Sequence, residues 1–499
     1  MIPVSPVYKR SDRLLLTPVP EPDRFLFLER KIMTNKQFRH DLRRGLGSCQ
    51  AAFSDCKDIY IFHDDLLWGC RYALAYDAQS EGTRATYLFE MIKKYDDWSD
   101  FLKTASEGAL RAIKDDGWRF AHFCDLIALM SSSGYKPAQN IMNVLYERLF
   151  NAVRTGRTPR IRMSIPSVDN FSYICINMIT DTSLSKADSE LVFLRIVRDY
   201  GKLIKYRPAW SNLFKDDEFE MAAADILGEK KTEYLLDENS DDPDIKRYIS
   251  NSRRLDKMRE KYRLQVKQEE KPVTAQLIYE ILSSDDCQNG MELSGKLAKL
   301  IRNDQMDEIK KLVDMYSSGK NDKIRQHLLE LLDKKRVLPL FDKPAVDRLF
   351  EDVKSDNIKL SERAGLLLVY VRDDRLHDLA TKKLVSDPRA TVALEMLINN
   401  YRSGDSEIII KSVLSSGSFG NNADKSHSIF EALYDVINSD PDACRELSAA
   451  LLPYMFKETP CSHCRYLFVK KMQELKLLTP QLIKMCRYDC NENIRKLVI

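Results

Sequence analysis

Glycine and proline are scarce in this chain of 499 residues, at 17 and 18 respectively. Folds made of many short strands need turn residues every few positions, so the scarcity excludes them and favours long helices joined by short loops. Long apolar runs are missing as well. No stretch of about 18 apolar residues is there to cross a bilayer, and the first residues, MIPVSPVYKRSDR, lack the apolar core of a secretory signal. A surplus of one charge is also lacking: 78 Lys and Arg face 75 Asp and Glu, a net charge of +3, so bulk charge makes no case for nucleic acid. The phosphate loop GxxxxGK[ST], GxGxxG after a strand, HExxH and GxSxG are all absent, which lowers the case for an enzyme without closing it. Eleven cysteines are scattered through the chain, and Cys124 sits inside the apolar pattern FAHFCDLIALM. Reduced thiols in a cytoplasmic protein with no membrane partner are the expectation.

What is present is helical periodicity. In ATYLFEMIKKY the apolar Ala85, Leu88, Met91 and Ile92 recur at three- and four-residue steps, one face of an amphipathic helix. Similar helices are predicted at 118–132, 137–153, 170–180 and 187–204, and shorter ones run from 273 to 498. The nearest approach to strand alternation, RIRMSIPSVD at 160–169, is broken by Pro166. Pro3, Pro6, Pro18, Pro20 and Pro22 predict an extended arm over 1–23. An N-terminal helical solenoid follows over 24–235, and a C-terminal one over 273–499.

Between them, at 236–272, the composition inverts. Residues 216–244 hold twelve acidic and two basic residues, whereas 246–271 hold ten basic and four acidic ones. The basic stretch has no Gly or Pro and reads as one long, mostly exposed helix joining the two halves.

Paired helices recurring at about 40 residues mark HEAT and armadillo solenoids. NDKIRQHLLELL (321–332), LSERAGLLLVYV (360–371), DPDACRELSAALL (440–452) and NENIRKLVI (491–499) each resemble the second-helix start of a HEAT repeat, with Arg325, Arg363, Arg445 and Arg495 in the first turns. An Asp or Asn at the loop caps free N–H groups there, and the Arg is placed to pair with a loop carboxylate of a neighbouring repeat. YDAQSEGTRATYLFEMI (76–92), RFAHFCDLIALMSSSGYKPAQNIMNVLYERLF (119–150) and SVDNFSYICINMI (167–179) look like a pattern of bacterial HEAT-repeat proteins of unassigned activity. The resemblance implies an all-α solenoid and carries no reaction with it.

Four sets of residues stand out as candidate sites. Cys461, Cys464, Cys486 and Cys490 form C-x2-C and C-x3-C pairs with four-thiolate zinc spacing, although buried helix cysteines that ligate nothing give the same pattern. Asp77, Glu81 and Arg84 concentrate charge before a strong helix, as a ligand cluster or as a cap with a neutralised Arg. Asp115, Asp116, His122 and Asp125 resemble an acid/base constellation, although a lone His on an apolar face is commonly structural. Lys246, Arg247, Arg253, Arg254, Lys257 and Arg259 offer a surface for a polyanion or an acidic partner, with the preceding acidic block as an internal competitor. No residue is assigned a catalytic role and no cofactor is expected. The expected function is a scaffold for a protein partner. The alternative is a nucleic-acid-binding solenoid, with the HEAT-like alkylpurine DNA glycosylases as its enzymatic extreme.

Overall fold

The structure, a computed structural model, describes residues 33–113, 117–156, 166–269, 272–283, 290–334, 336–416 and 422–498. The arm at 1–23, Asp115, Asp116 and the strand-like residues 160–165 lie outside them. The described residues are all-α, with no strand among them. Thirteen helices form the first stretch: α1 (Asn35–Arg44), α2 (Gly47–Asp55), α3 (His63–Arg71), α4 (Ala78–Glu81), α5 (Ala85–Ile92), α6 (Ser99–Ala112), α7 (Gly117–Ser132), α8 (Lys136–Thr155), α9 (Pro166–Ile179), α10 (Lys186–Tyr206), α11 (Asp217–Leu227), α12 (Glu229–Glu238) and α13 (Pro243–Glu269). Fourteen form the second: α14 (Ala275–Ser283), α15 (Gly290–Arg302), α16 (Met306–Ser318), α17 (Asp322–Leu332), α18 (Lys343–Asp352), α19 (Ile358–Leu368), α20 (Asp374–Ser386), α21 (Thr391–Asn399), α22 (Ser406–Ser415), α23 (Ala423–Ser439), α24 (Arg445–Glu458), α25 (Ser462–Glu474), α26 (Pro480–Arg487) and α27 (Glu492–Leu497).

From α14 on, most helices pack on the helix two places along the chain, as α16 does on α18 and α21 on α23, and many also pack on a neighbour in sequence, as α18 does on α19 and α24 on α25. Within α14 to α19, and again within α20 to α25, even-numbered helices therefore stack on even and odd on odd, the arrangement of helix pairs that cannot bury their apolar faces singly. The local chemistry of these pairs is repetitive. Asn321, Asn357 and Asn491 accept backbone N–H groups at the starts of α17, α19 and α27. Four residues beyond its cap, Arg325 reaches Asp352 at the end of α18 with two hydrogen bonds of 3.1 and 2.9 Å. Arg495 meets the carbonyls of Asp489 and Cys490 at 2.7 and 3.1 Å instead of a carboxylate. The segment 440–452 differs from the expectation: it opens α24, in the even layer, and Cys444 at its start supplies no side-chain cap.

One packing relation could not be foreseen from repeats. α2, near the start of the chain, packs against α26, near its end. Leu46 belongs to the apolar core built from residues 380–498, and Cys490 packs against the core of the first stretch. The spatial order is thus α14 to α27, a seam, then α1 to α13. α13 and α14 consequently occupy the two ends of the array, although they adjoin in sequence. From Leu255, buried on α13, the helix runs fourteen residues to Glu269, and six more reach Ala275; that chain spans at most about 40 Å. The connection therefore limits how far apart α13 and α14 can lie, and the seam joins the other ends of the two stretches.

The long charged helix is less exposed than its composition suggests. Ile245, Tyr248, Asn251 and Leu255 bury one side of α13, with α10 as its main neighbour.

Candidate functional site

Helix α25 begins at a cysteine. Cys461 stands in the position that Asn takes at α17, α19 and α27, and its sulfur accepts the Cys464 N–H at 3.5 Å. One helical turn therefore places both thiols at the N-terminus of α25, where the helix field favours negative charge. A neighbouring helix supplies the third group. Asn422 caps α23, accepting the Lys425 N–H at 3.0 Å, and this start fixes the first turn that carries His427. His427 Nε2 lies 3.2 Å from Cys464 Sγ. The imidazole nitrogen and both sulfurs lie within 4.8 Å of one another. Among the described residues this is the His, Cys, Asp and Glu cluster with the spacing to hold a metal ion.

The site is nearly closed. Cys461 is 6% and Cys464 7% exposed. Residues 74–84 of the first stretch cover it across the seam. The Tyr76 ring lies 5.3 Å from the His427 ring, and its hydroxyl donates to Asp424 at 2.7 Å. Glu81 accepts the Ser462 N–H at 3.3 Å. The electrostatics follow from this crowding. The Cys464 thiol, His427 and the Cys464 N–H together pull Cys461 down, whereas Cys464 is driven up because it gives its hydrogen bond to Cys461. His427 is raised, first by its hydrogen bond to Cys461.

Cys486 and Cys490 do not join it. Cys486 is buried on α26, and Cys490 lies under the α1–α2 turn, accepting from Arg465 Nη2 at 3.3 Å. Burial pushes these two thiols up to about 12 and about 11. Between the two pairs lies the fully buried Arg465–Asp489 ion pair, with bonds of 2.8 and 3.1 Å. The sequence reading named the C-x2-C motif and missed both His427 and Arg465. A histidine 34 residues upstream leaves no local signal, and His463, inside the motif, is exposed. Arg465 was legible, since it stands four residues after its cap as Arg325 does.

The other candidates fall into structural roles. Arg84 is buried and binds Glu81 at 2.6 Å, the carbonyls of Leu74 and Pro460 at 3.0 and 2.8 Å, and that of Arg43. It is a clasp across the seam. Asp77 is exposed and accepts from Ser80 at 2.7 Å. Thr83 does not cap α5; it donates to Asp125, which also takes Tyr173 at 2.8 Å and Asn177 at 3.4 Å. His122 points elsewhere, to the Gly69 carbonyl at 3.3 Å, and burial lowers its pKa to about 4. No hydrogen bond couples this His and Asp as an acid/base pair.

On the basic helix, Arg259 pairs with Asp217 at 2.7 Å and Arg247 with Asp244. Arg254 bonds Ser211, Asn212 and Asn251 at 2.9 to 3.0 Å. Lys215 reaches back to Asp256 of the same helix. Lys246, Arg253 and Lys257 face solvent. On the edge of the second stretch, a cleft of about 900 Å³ is lined by Arg372, Arg375, Arg402, Asp373, Asp374 and Asp440, a surface of mixed sign. No helix of the described residues is long and apolar enough to cross a membrane. In comparison with known proteins, no family model matches the chain and no curated protein is significantly similar to it.

Proposed function

We propose that this chain is a HEAT-type interaction scaffold, an array of helix pairs that holds a protein partner rather than nucleic acid. The observation that carries the choice is the internal neutralisation of α13. Half of its six candidate cations, Arg247, Arg254 and Arg259, are engaged by groups of the same chain, chiefly the acidic block before it. A polyanion would have to displace those partners, and the cations of the helix that stay unpaired, such as Lys246, Arg253 and Lys257, share its surface with the exposed Asp256 and Glu260. The mixed lining of the edge cleft points the same way, because alternating charge selects a complementary protein surface over a uniformly negative backbone.

The test uses the full chain as bait from the native organism, scored for protein against nucleic acid, with direct binding to duplex and single-stranded DNA and RNA at physiological salt. Stoichiometric recovery of one protein and no binding to nucleic acid is the expected result. Nucleic-acid binding at about micromolar Kd, steeply salt-dependent and abolished by reversing Lys246, Arg253 and Lys257 to Glu, would overturn the reading.

A further inference from the structure

We infer that His427, Cys461 and Cys464 form a zinc site at the seam between the two stretches, with a ligand set different from the four cysteines that sequence spacing suggests. Tetrahedral Zn²⁺ binds sulfur at about 2.3 Å and imidazole nitrogen at about 2.0 Å, so its ligand atoms stand roughly 3.5–3.8 Å apart. The three donors already lie within 4.8 Å of one another, with Cys464 Sγ and His427 Nε2 at 3.2 Å. Side-chain adjustments of about 1 Å or less between any two donors would complete three corners of a tetrahedron.

The choice of zinc over a simple dithiol rests on the third donor. A thiol–disulfide couple needs two sulfurs and no imidazole, whereas here a histidine from another helix brings its nitrogen onto the sulfurs. Two thiolates and a neutral imidazole suit a borderline-soft divalent ion, and hard cations such as Mg²⁺ would prefer oxygen. Two carboxylates stand nearby, one of them already paired with Arg84. Glu81 is buried beside the site and hydrogen-bonds the Ser462 N–H, and Asp424 lies one turn from His427 beneath the Tyr76 hydroxyl. Metal binding requires both cysteines as thiolates and so would be coupled to proton release. The fourth corner is left for water or for a donor from a partner.

The position gives the site its consequence. His427 comes from α23 and the cysteines from α25, and the lid of residues 74–84 comes from the other side of the seam. An ion holding α23 to α25 would set the surface on which Tyr76, Glu81 and Arg84 dock, so zinc would promote docking across the seam.

The experiment loads reduced, chelator-stripped full-length protein with Zn²⁺, removes excess by dialysis, and reads metal content and X-ray absorption at the zinc edge; Co²⁺ substitution gives a parallel optical readout. One equivalent per chain, with two sulfur neighbours and one or two nitrogen or oxygen neighbours, is expected. Cys461→Ser retains a good helix cap and so should fold, yet it should lose at least tenfold in affinity together with the thiolate-to-cobalt charge-transfer band. His427→Ala should lose similarly, while Cys486→Ser and Cys490→Ser should bind as the parent does. Reduced, folded protein that retains no zinc would refute the site, and so would a shell of four sulfurs or retention by Cys461→Ser and His427→Ala alike.

Discussion

Arg465 and Asp489 are both fully buried, which sets two energetic effects against each other. Desolvating the pair is costly and their attraction offsets that cost only while both are present. Asp489→Ala should therefore destabilise the protein by about 3–5 kcal/mol, because it strands a buried guanidinium, whereas replacing both residues by apolar ones of similar volume should be far milder. Denaturant unfolding of the single and double variants measures the difference. His122 supplies a pH dependence with a definite sign. Its native pKa of about 4 lies below the usual 6.5 because burial disfavours the charged ring. Between those values the unfolded chain binds a proton that the native chain refuses. The stability is present above pH 6.5 and is lost as pH falls towards 4, by about 3 kcal/mol in all. His122→Leu should flatten that part of the stability–pH curve, and unfolding at pH 7 and 4.5 gives the comparison.

At the scale of the helix, the caps are local and so are their costs. Asn321 accepts the N–H groups of Lys323 and Ile324 at 2.9 and 3.2 Å, and Asn321→Ala should cost about 1 kcal/mol, visible as a small drop in Tm without loss of fold. The same locality explains what the sequence disclosed. The three- and four-residue rhythm of ATYLFEMIKKY becomes α5 with Leu88, Met91 and Ile92 buried, and the cap-plus-Arg pattern at 321–325 becomes a buried pair with Asp352. Elements with weak contrast were harder to read. α2 is GSCQAAFSD, small residues with little distinction between faces. The acidic block looked like surface charge, yet Phe219, Ala223 and Leu227 recur every four residues and bury one side of α11. His427 and the seam left no sequence trace at all, because their partners lie 34 to more than 400 residues away and proximity at such separations is decided by how the helices stack.

At the scale of the whole molecule the two stretches meet at the seam, and a tight backbone approach there is the turn between α1 and α2. Gly45 ends α1 at φ 70°, in the left-handed region where glycine is favoured, and its carbonyl accepts the Cys490 N–H at 2.9 Å. Gly47 begins α2 against the backbone of α26, where a Cβ would overlap the Met485 carbonyl. Backbone cannot yield there as a flexible side chain would, so Gly47→Val should force α2 and α26 apart while leaving the helix pairs on either side intact. Arg44 with the Glu458 carbonyl at 3.1 Å, Lys484 with Asp55 at 2.6 Å and the Arg84 clasp would separate with them. The array would then be held only by the connection from α13 to α14. Small-angle scattering should show a larger radius of gyration for Gly47→Val than for the parent, with far-UV circular dichroism unchanged, and Gly404→Ala, whose added Cβ meets nothing within 4 Å, should behave as the parent does. If the two stretches were instead held together by packing elsewhere, Gly47→Val would keep the parent's radius, and docking through the seam would have to be abandoned.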